Sequence, residues 1–560
     1  MVTAAKLLNA CNCSMYKMLE KTASKNPEGV AISYFNNDIT YSDLLTSVKK
    51  IAAALSVQGV GRGDNVIICM PNMPQAIIAI YACNLVGAVC HILHPLSTAR
   101  EVRRIVEITS CKIAFCDRNS ERCFDGLDVT LVCSDIAGYV KNNFKGILSS
   151  AKLRFKNNKN YLPAHVKRKF LWSTFLNKFD AKMQELDTAQ GFGSDACAVL
   201  YDYSKGTMSS GIVITNSSVN VLAKQIHFYF RRYGIENGML TAMPLFHGTG
   251  FGLCMHTAIT IGIPQVLVPE FSPDECCKVI FDKKPDMIFL APTFFEEIVK
   301  LKLFDDADLS FIRVIGSIGH YQHQNLKVKM NKLLKTGKST ARLISAYGRL
   351  ECISVCAMEP PYNGVNSGGC VGMALPATTI KVVDTVTNDS LLDLDGEICI
   401  NSPTVTRGYY HNPSATSKRL RLHDDGKIWF HTGDIGRITE DGVLYFKQCF
   451  DRALEIMGYT IYPSVIEDEI CALEEVVTCC VVDDVDKDGN TVLCALVVPE
   501  NDVNLSSKET KLRNKIVESV SKNLNYMSTP KKIVFSYNLP LSSTGSIDYV
   551  AVKEYVNDHS

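Results

Sequence analysis

Four stretches of the 560-residue chain carry side chains suited to chemistry on a phosphorylated substrate. Tyr203-Ser-Lys-Gly-Thr-Met-Ser-Ser-Gly211 sets the hydroxyls of Ser204, Thr207, Ser209 and Ser210 beside Gly206 and Gly211, whose amides can face a phosphate. It is not a GxxxxGK[ST] loop, and none occurs elsewhere. Pro244-Leu-Phe-His247-Gly-Thr-Gly250 puts an aromatic-flanked histidine on a turn opening a helix, a place from which it can gate a pocket. Ala346-Tyr347-Gly348-Arg-Leu-Glu351 follows a strand with a ring on which a purine can stack and a carboxylate that suits magnesium. His431-Thr432-Gly433-Asp434 reads as a short loop whose carboxylate can accept two hydrogen bonds from ribose hydroxyls. Taken singly, each is more often an ordinary connection: a strand link, a structural histidine, a turn with a packed tyrosine, a Gly-Asp turn.

The elements around them alternate. Val30-Ala-Ile-Ser-Tyr-Phe35 reads as a strand ending in the turn Asn36-Asn37-Asp38, followed by a helix from about Ser42 to Val57. Gly59-Val-Gly-Arg-Gly-Asp64 then turns into a buried strand, Asn65 to Met70. This is α/β grammar, with helices covering a largely parallel sheet. The most apolar segment, Ala76 to Leu93, holds Asn84, Gly87 and His91, so it reads as a buried helix running into a buried strand and not as a membrane span. From Ile136 to Phe179 there is no Asp or Glu, and ten lysines and arginines fall there; this basic insertion, near 118–190, reads as a solvated loop or helix, or a contact for an acidic carrier protein or membrane surface. Alternation resumes from Ala196 to about Phe450. A small α+β unit follows, with helices near Val465–Leu473 and Lys508–Leu524, an acidic turn from Asp486 to Asn490, and a strand from Lys531 to Ser536.

Composition narrows the classes. With 46% apolar and 21% charged residues the chain can bury sizeable cores, which excludes disorder and coiled coil. Lys+Arg 59 against Asp+Glu 58 leaves no global field for nucleic acid. The 22 cysteines are scattered, many in apolar runs, with no CxxC and no zinc-like Cys–His spacing; they read as reduced core residues of a soluble, cytoplasmic protein. Met1 to Ser14 lacks the basic start and apolar stretch of a signal peptide.

In their order the motifs resemble the adenylate-forming superfamily of acyl-CoA synthetases, luciferases and peptide-synthetase adenylation domains, from roughly Tyr16 to Tyr555. The resemblance takes in Thr40-Tyr41-Ser-Asp-Leu44, Pro244 to Gly250, Ala291-Pro-Thr293, Tyr347-Gly-Arg-Leu-Glu351, Gly396-Glu-Ile398 and Arg407-Gly-Tyr409. Its most specific run is Trp429-Phe-His-Thr-Gly-Asp434-Ile-Gly-Arg437, followed by Asp441 to Phe446, Gly458 to Pro463 and Thr544-Gly-Ser-Ile547. It implies an α/β fold with a large N-terminal domain of parallel-rich sheets, residues 1–450, and a small mobile α+β domain, 451–560, turning about a hinge at Asp451. It also implies ATP and Mg2+ as cofactors, a carboxylic acid or acyl small molecule as substrate, and coenzyme A or an acyl carrier protein as acceptor. By resemblance Glu351 holds magnesium, Tyr347 stacks on adenine beside Gly348, Asp434 binds ribose, Thr207 and Gly211 belong to the phosphate loop, and His247 lines the acyl pocket. Among members, bacterial fatty-acyl and aryl acid–CoA ligases are the most similar in feel.

The departures from the pattern fall on cations. The phosphate loop's lysine position is Ser210, the ribose-binding arginine before the hinge is Cys449, the lysine after the hinge is Glu455, and the adenylation lysine near the C-terminus is Ser546. The threonine after Tyr347-Gly348 is Leu350. Losing one preorganised donor at developing charge typically costs about 10²–10³ in rate. The sequence therefore leads to a nucleotide- or acyl-binding protein of this family with impaired adenylation, the alternative being an active acid–CoA or acid–carrier ligase that recruits other cations such as Lys205 or Arg452.

Overall fold

The computed structural model describes residues 9–141, 163–178, 191–203, 208, 210–269, 272–360, 368–456, 459–485, 491–500, 506–524, 526–542 and 545–559. Two large sheets organise the first 450 residues. The seven-stranded one runs Arg168–Leu171, Thr130–Ser134, Ile113–Asp117, Asn65–Cys69, Val89–Ile92, Ala196–Leu200, Ile212–Thr215, and every neighbouring pair but the last is parallel. Its central strands are buried on both faces, as Val-Ile-Ile-Cys69 requires. The apolar segment at Ala76 resolves into the helix Pro74–Leu85, every residue of it buried, and the strand Val89–Ile92. Among the described residues no helix is long and apolar enough to cross a membrane.

The second sheet, of 15 strands, changes character half-way. From Val30–Tyr34 through Gln265–Leu267, Met239–Thr241, Met287–Leu290 and Val314–Ser317 to Leu343–Tyr347 its strands are parallel. Beyond Tyr347 the pairs are antiparallel, through Ala357–Met358, Cys370–Ala374, Val443–Cys449, Ile428–Ile438 and Gly396–Asn401. Ligands of open α/β sheets bind beyond the carboxyl ends of parallel strands where the chain order switches. Tyr347 ends the last parallel strand, so the switch falls on the sequence-derived site.

After Cys449 the three-stranded sheet Val476–Val485, Thr491–Pro499, Lys532–Phe535 forms its own cores. Successive residues alternate faces: Cys479 and Val481 pack against the helices Pro463–Cys471 and Ser506–Asn523, while Cys480 and Val482 pack against Tyr549–Asp558. That last helix was not read from the sequence. The acidic turn 486–490 lies outside the described residues, and so does most of the basic stretch. Where described, the basic stretch is no free insertion: Arg168–Leu171 is an edge strand of the seven-stranded sheet, and Lys169 pairs with the buried Glu121.

Candidate active site

Tyr347, Gly348 and Glu351 follow the sheet's switch point as a strand end and a short 3-10 turn, Leu350–Cys352. Gly348 packs so tightly that a Cβ there would lie 2.5 Å from the Ser354 carbonyl oxygen, so only glycine fits. The Tyr347 hydroxyl donates to Asp434 Oδ2 at 2.7 Å, and its ring lies 5.5 Å from that of Phe446. Glu351 is buried and accepts from the Tyr409 hydroxyl at 2.7 Å. A lone hard carboxylate with one neutral donor on it suits magnesium, which keeps waters and substrate oxygens for its other positions.

Asp434 is not on a loop, as its Thr-Gly-Asp setting suggests, but inside the eleven-residue strand Ile428–Ile438. The pairing slips there: Cys399 lies opposite His431, whereas Glu397 lies opposite Ile435, leaving the intervening residues as a bulge. Bulges re-aim side chains, and this one turns Asp434 toward Tyr347. Gly433 has φ +70°, and a Cβ there would meet Arg419 Nη1 at 2.5 Å, so both conformation and space call for glycine.

A relay of hydrogen bonds fixes the bulge. The Lys381 ammonium, which has no lone pair, donates to His423 Nδ1 (2.8 Å); His423 Nε2 then carries a proton and donates to His431 Nε2 (2.8 Å). His431 must therefore hold its proton on Nδ1, which donates to Glu397 Oε2 (2.8 Å), while Glu397 Oε1 accepts from the Gly433 amide (2.9 Å). Glu397, Cys399 and His431 bring three potential metal donors within 4.8 Å of one another. The His431 Nδ1 proton already occupies the position a metal would take, so we read the group as a brace for Asp434. Glu397→Ala leaves two donors without an acceptor and is expected to cost about 2–4 kcal/mol in denaturant unfolding, with Glu397→Gln costing less than half of that.

A cavity of about 80 Å³ sits over Tyr347, Gly348 and Asp434. Three polar groups on its wall are buried without a hydrogen-bond partner: Asp434 Oδ1, Gln448 Nε2 and both ring nitrogens of His320. Buried polar groups are nearly always paired, so the space around this cluster suits a polar occupant, whether water or a ligand. Two guanidinium groups also line it. Arg349 Nη1 lies 3.6 Å from Asp434 Oδ1 and 3.7 Å from Cys449 Sγ. Arg452 is held by Glu467 at 2.6 Å and lies 4.3 Å over the Tyr549 ring. His320, Gln448 and Tyr549 carried no sequence signal; Arg349 was visible only as part of Tyr-Gly-Arg.

The other expected residues lie apart. His247 is enclosed beside Gly248, its Nδ1 accepting from the Thr249 amide at 3.3 Å; burial lowers its pKa, and it lines neither this cavity nor the larger one. Of the apolar rings near it in sequence or among the Ala291-Pro-Thr293 neighbours, Phe251 and Phe295 are wholly buried in packed cores, while Phe294 faces the larger cavity. Ser210 Oγ accepts from Asn412 Nδ2 at 2.9 Å, and Gly211 passes so close to Val199 that a Cβ would lie 2.4 Å from its methyl. Thr207, Lys205 and the rest of 204–207 fall outside the described residues, as do Gly458 and the Glu455 side chain. Asp451 sits in a short 3-10 turn between Phe450 and Arg452. Beside Ser546, the Gly545 carbonyl accepts from Thr293 Oγ1 at 2.8 Å, which docks this part of the C-terminal unit on the larger one.

That contact helps close a second cavity of about 1300 Å³, walled by Asn72, His94, Phe246 and Phe294 on one side and by Thr478, Leu541 and Gly545 on the other. Glu296 is buried in its wall, and burial pushes its carboxyl up to about 7, against the opposing charge of His323. The folded state therefore favours the acid form: stability is whole below the unfolded value near 4.5 and is lost as pH rises through 7. Glu296→Gln is expected to raise the unfolding midpoint by about 2–5 °C at pH 8.5 and to change it little at pH 5, read by scanning calorimetry.

Residues 19–410 match the family model of the AMP-binding enzyme, and residues 465–546 match that of the AMP-binding enzyme C-terminal domain. The chain belongs to this family of adenylate-forming enzymes. Among curated relatives, a long-chain-fatty-acid–CoA ligase of Bacillus subtilis is 26% identical over 96% of this chain and 93% of its own length. A 4-coumarate:CoA ligase of Petunia hybrida is 25% identical over 91% and 88%. The fold is that of ATP-bound MatB from Rhodopseudomonas palustris, with a TM-score of 0.78 at 21% identity over 98% of this chain and 100% of that one.

Proposed function

We propose that this AMP-binding enzyme is an ATP-dependent acid–thiol ligase: it joins a carboxylic acid to AMP, releasing pyrophosphate, and passes the acyl group to a thiol such as that of coenzyme A. The observation that carries this reading is the cluster of buried groups without a hydrogen-bond partner around the small cavity: Asp434 Oδ1, which has only the Arg349 ion pair at 3.6 Å, Gln448 Nε2 and the ring of His320. Asp434 accepts the ribose hydroxyls, Tyr347 and Gly348 flank the base, and Glu351 holds magnesium, which supplies charge neutralisation at the phosphates. Arg349 and Arg452 stand in for the cations absent at Cys449, Glu455 and Ser546. At about 80 Å³ the cavity is below the roughly 300–1,000 Å³ usual for a small-molecule site, so Arg452 and Tyr549 swing outward when nucleotide enters. A rotation of residues 451–560 about Asp451 accomplishes that, and it also opens the larger cavity, whose apolar walls suit an acyl chain or a thiol arm. The likeness to a long-chain-fatty-acid–CoA ligase and a 4-coumarate:CoA ligase supports an aliphatic or aromatic acid and coenzyme A as partner.

One observation favours a second reading, a nucleotide-binding protein with little adenylation: four cation positions of the family's pattern are Ser210, Cys449, Glu455 and Ser546. A panel of aliphatic and aryl acids, assayed with ATP, magnesium and coenzyme A for pyrophosphate release and thioester mass, separates the two. Acid-dependent release with thioester is the expected result. Nucleotide binding with no release across the panel, coenzyme A or acyl carrier protein alike, would establish the second.

A further inference from the structure

Two thiols lie where the C-terminal unit meets the larger one. Cys471 ends the helix Pro463–Cys471, Cys479 lies on the adjoining strand Val476–Val485, and their sulfurs are 3.6 Å apart in the same buried core. The residues facing them across the contact come from the 321–325 segment. His323 Nδ1 lies 2.9 Å from Asp468 Oδ1, the Tyr321 hydroxyl donates to the same carboxylate, and Asn325 Nδ2 donates to the Cys471 carbonyl at 2.7 Å. The His323 imidazole and the Cys471 thiol are also near enough to act on each other's charge. A thiol, an imidazole and a carboxylate thus meet in the order that activates a cysteine nucleophile, the carboxylate orienting and charging the imidazole that faces the sulfur.

We propose that Cys471 and Cys479 form a peroxide-reactive dithiol, with Cys471 the attacking thiolate, Cys479 the resolving thiol, and the His323–Asp468 pair of the interface setting its reactivity. The thiolate of Cys471 attacks one peroxide oxygen; the O–O bond breaks, the departing hydroxide takes a proton and leaves as water, and Cys471 becomes a sulfenic acid. Cys479 sulfur then attacks Cys471 sulfur, the S–O bond breaks, and the Cys479 proton leaves with the hydroxyl as a second water. Two thiols lose two electrons and one peroxide becomes two waters. Both sulfurs are buried, so the oxidant enters when the seam between the 321–325 segment and the helix parts, which ties the modification to the docking of the C-terminal unit.

Proximity alone is common in this chain, and one pair provides the contrast. Cys116 and Cys133 are 3.7 Å apart on neighbouring strands, yet among the described residues no cation acts on Cys116, whose thiol burial drives upward. At Cys471 burial also acts upward, but the Cys479 thiol and the His323 imidazolium outweigh it and hold the group below the ordinary thiol range. The resulting disulfide removes the thiolate that His323 faces and so loosens the interface.

The test uses the reduced full-length protein under limiting hydrogen peroxide, with peptide mass mapping. The expected result is a Cys471–Cys479 disulfide forming while Cys116 and Cys133 stay reduced. In Cys479→Ser a dimedone adduct accumulates on Cys471; in Cys471→Ser none forms on Cys479; and His323→Gln, checked as folded by its circular dichroism, slows the reaction at least tenfold. Equal oxidation of the Cys116–Cys133 pair, or an unchanged or faster rate in His323→Gln, would overturn the proposal.

Discussion

Asp434→Ala is expected to weaken ATP binding about 100-fold or more while leaving the fold intact. The carboxylate lies on a strand bulge braced by Glu397, and one of its oxygens is buried with no hydrogen-bond partner. A charge-assisted bond to a ribose hydroxyl contributes about 1.5–3 kcal/mol, and the carboxylate has room for two such bonds once Tyr347 yields its share. Removing it also takes from the partly exposed Arg349, 3.6 Å away, its nearest counter-charge. Asp434→Asn keeps the shape and one acceptor and should lose roughly a tenth as much. Displacement of a fluorescent ATP analogue reads both variants, with circular dichroism checking that each is folded.

The second large effect runs the other way. Ser546→Lys is expected to raise acid-dependent pyrophosphate release by about 10²–10³, the usual worth of one preorganised donor where negative charge develops. Its neighbour Gly545 accepts a hydrogen bond from Thr293 at 2.8 Å, and Ser542 and Gly545 lie on the wall of the larger cavity, so a long cation at Ser546 reaches toward the space between the two units. Ser546→Ala controls for the substitution itself and should gain nothing. Adding Glu455→Lys and Ser210→Lys is expected to give further gains that fall short of multiplying, because groups acting on one phosphate share its stabilisation. If the triple variant gains nothing, the acid pocket and not the missing cations limits the reaction.

Much of the scaffold was legible because its periodicities are strong. Val66-Ile-Ile-Cys69 is a continuous apolar run, and Val89–Ile92 is one but for His91, as a doubly covered sheet requires. Tyr347, Gly348, Glu351 and Asp434 stood out through local spacing, and the fold does bring Tyr347 and Asp434 into contact. What stayed hidden is what depends on long-range register. His320, Gln448 and Tyr549 meet around one cavity from sites more than 100 residues apart, and no local pattern announces that. His431-Thr-Gly-Asp434 looked like a loop because Gly433 breaks strand propensity; pairing with Gly396–Asn401 overrides it by admitting a bulge. The helix Tyr549–Asp558 was missed because only Val552 and Val556 are fully buried, too few to show a periodic face. His247 kept its aromatic neighbours but not an open pocket: Phe251 beside it packs into the core.

Calorimetric titration of Mg–ATP and of AMP into the purified full-length protein tests the central claim most directly, since it requires no knowledge of the acid. The account predicts micromolar binding of one equivalent, lost in Asp434→Ala. No heat and no saturation up to millimolar nucleotide would contradict it, and the groups orphaned around Tyr347 and Asp434 would then need an occupant of a different kind.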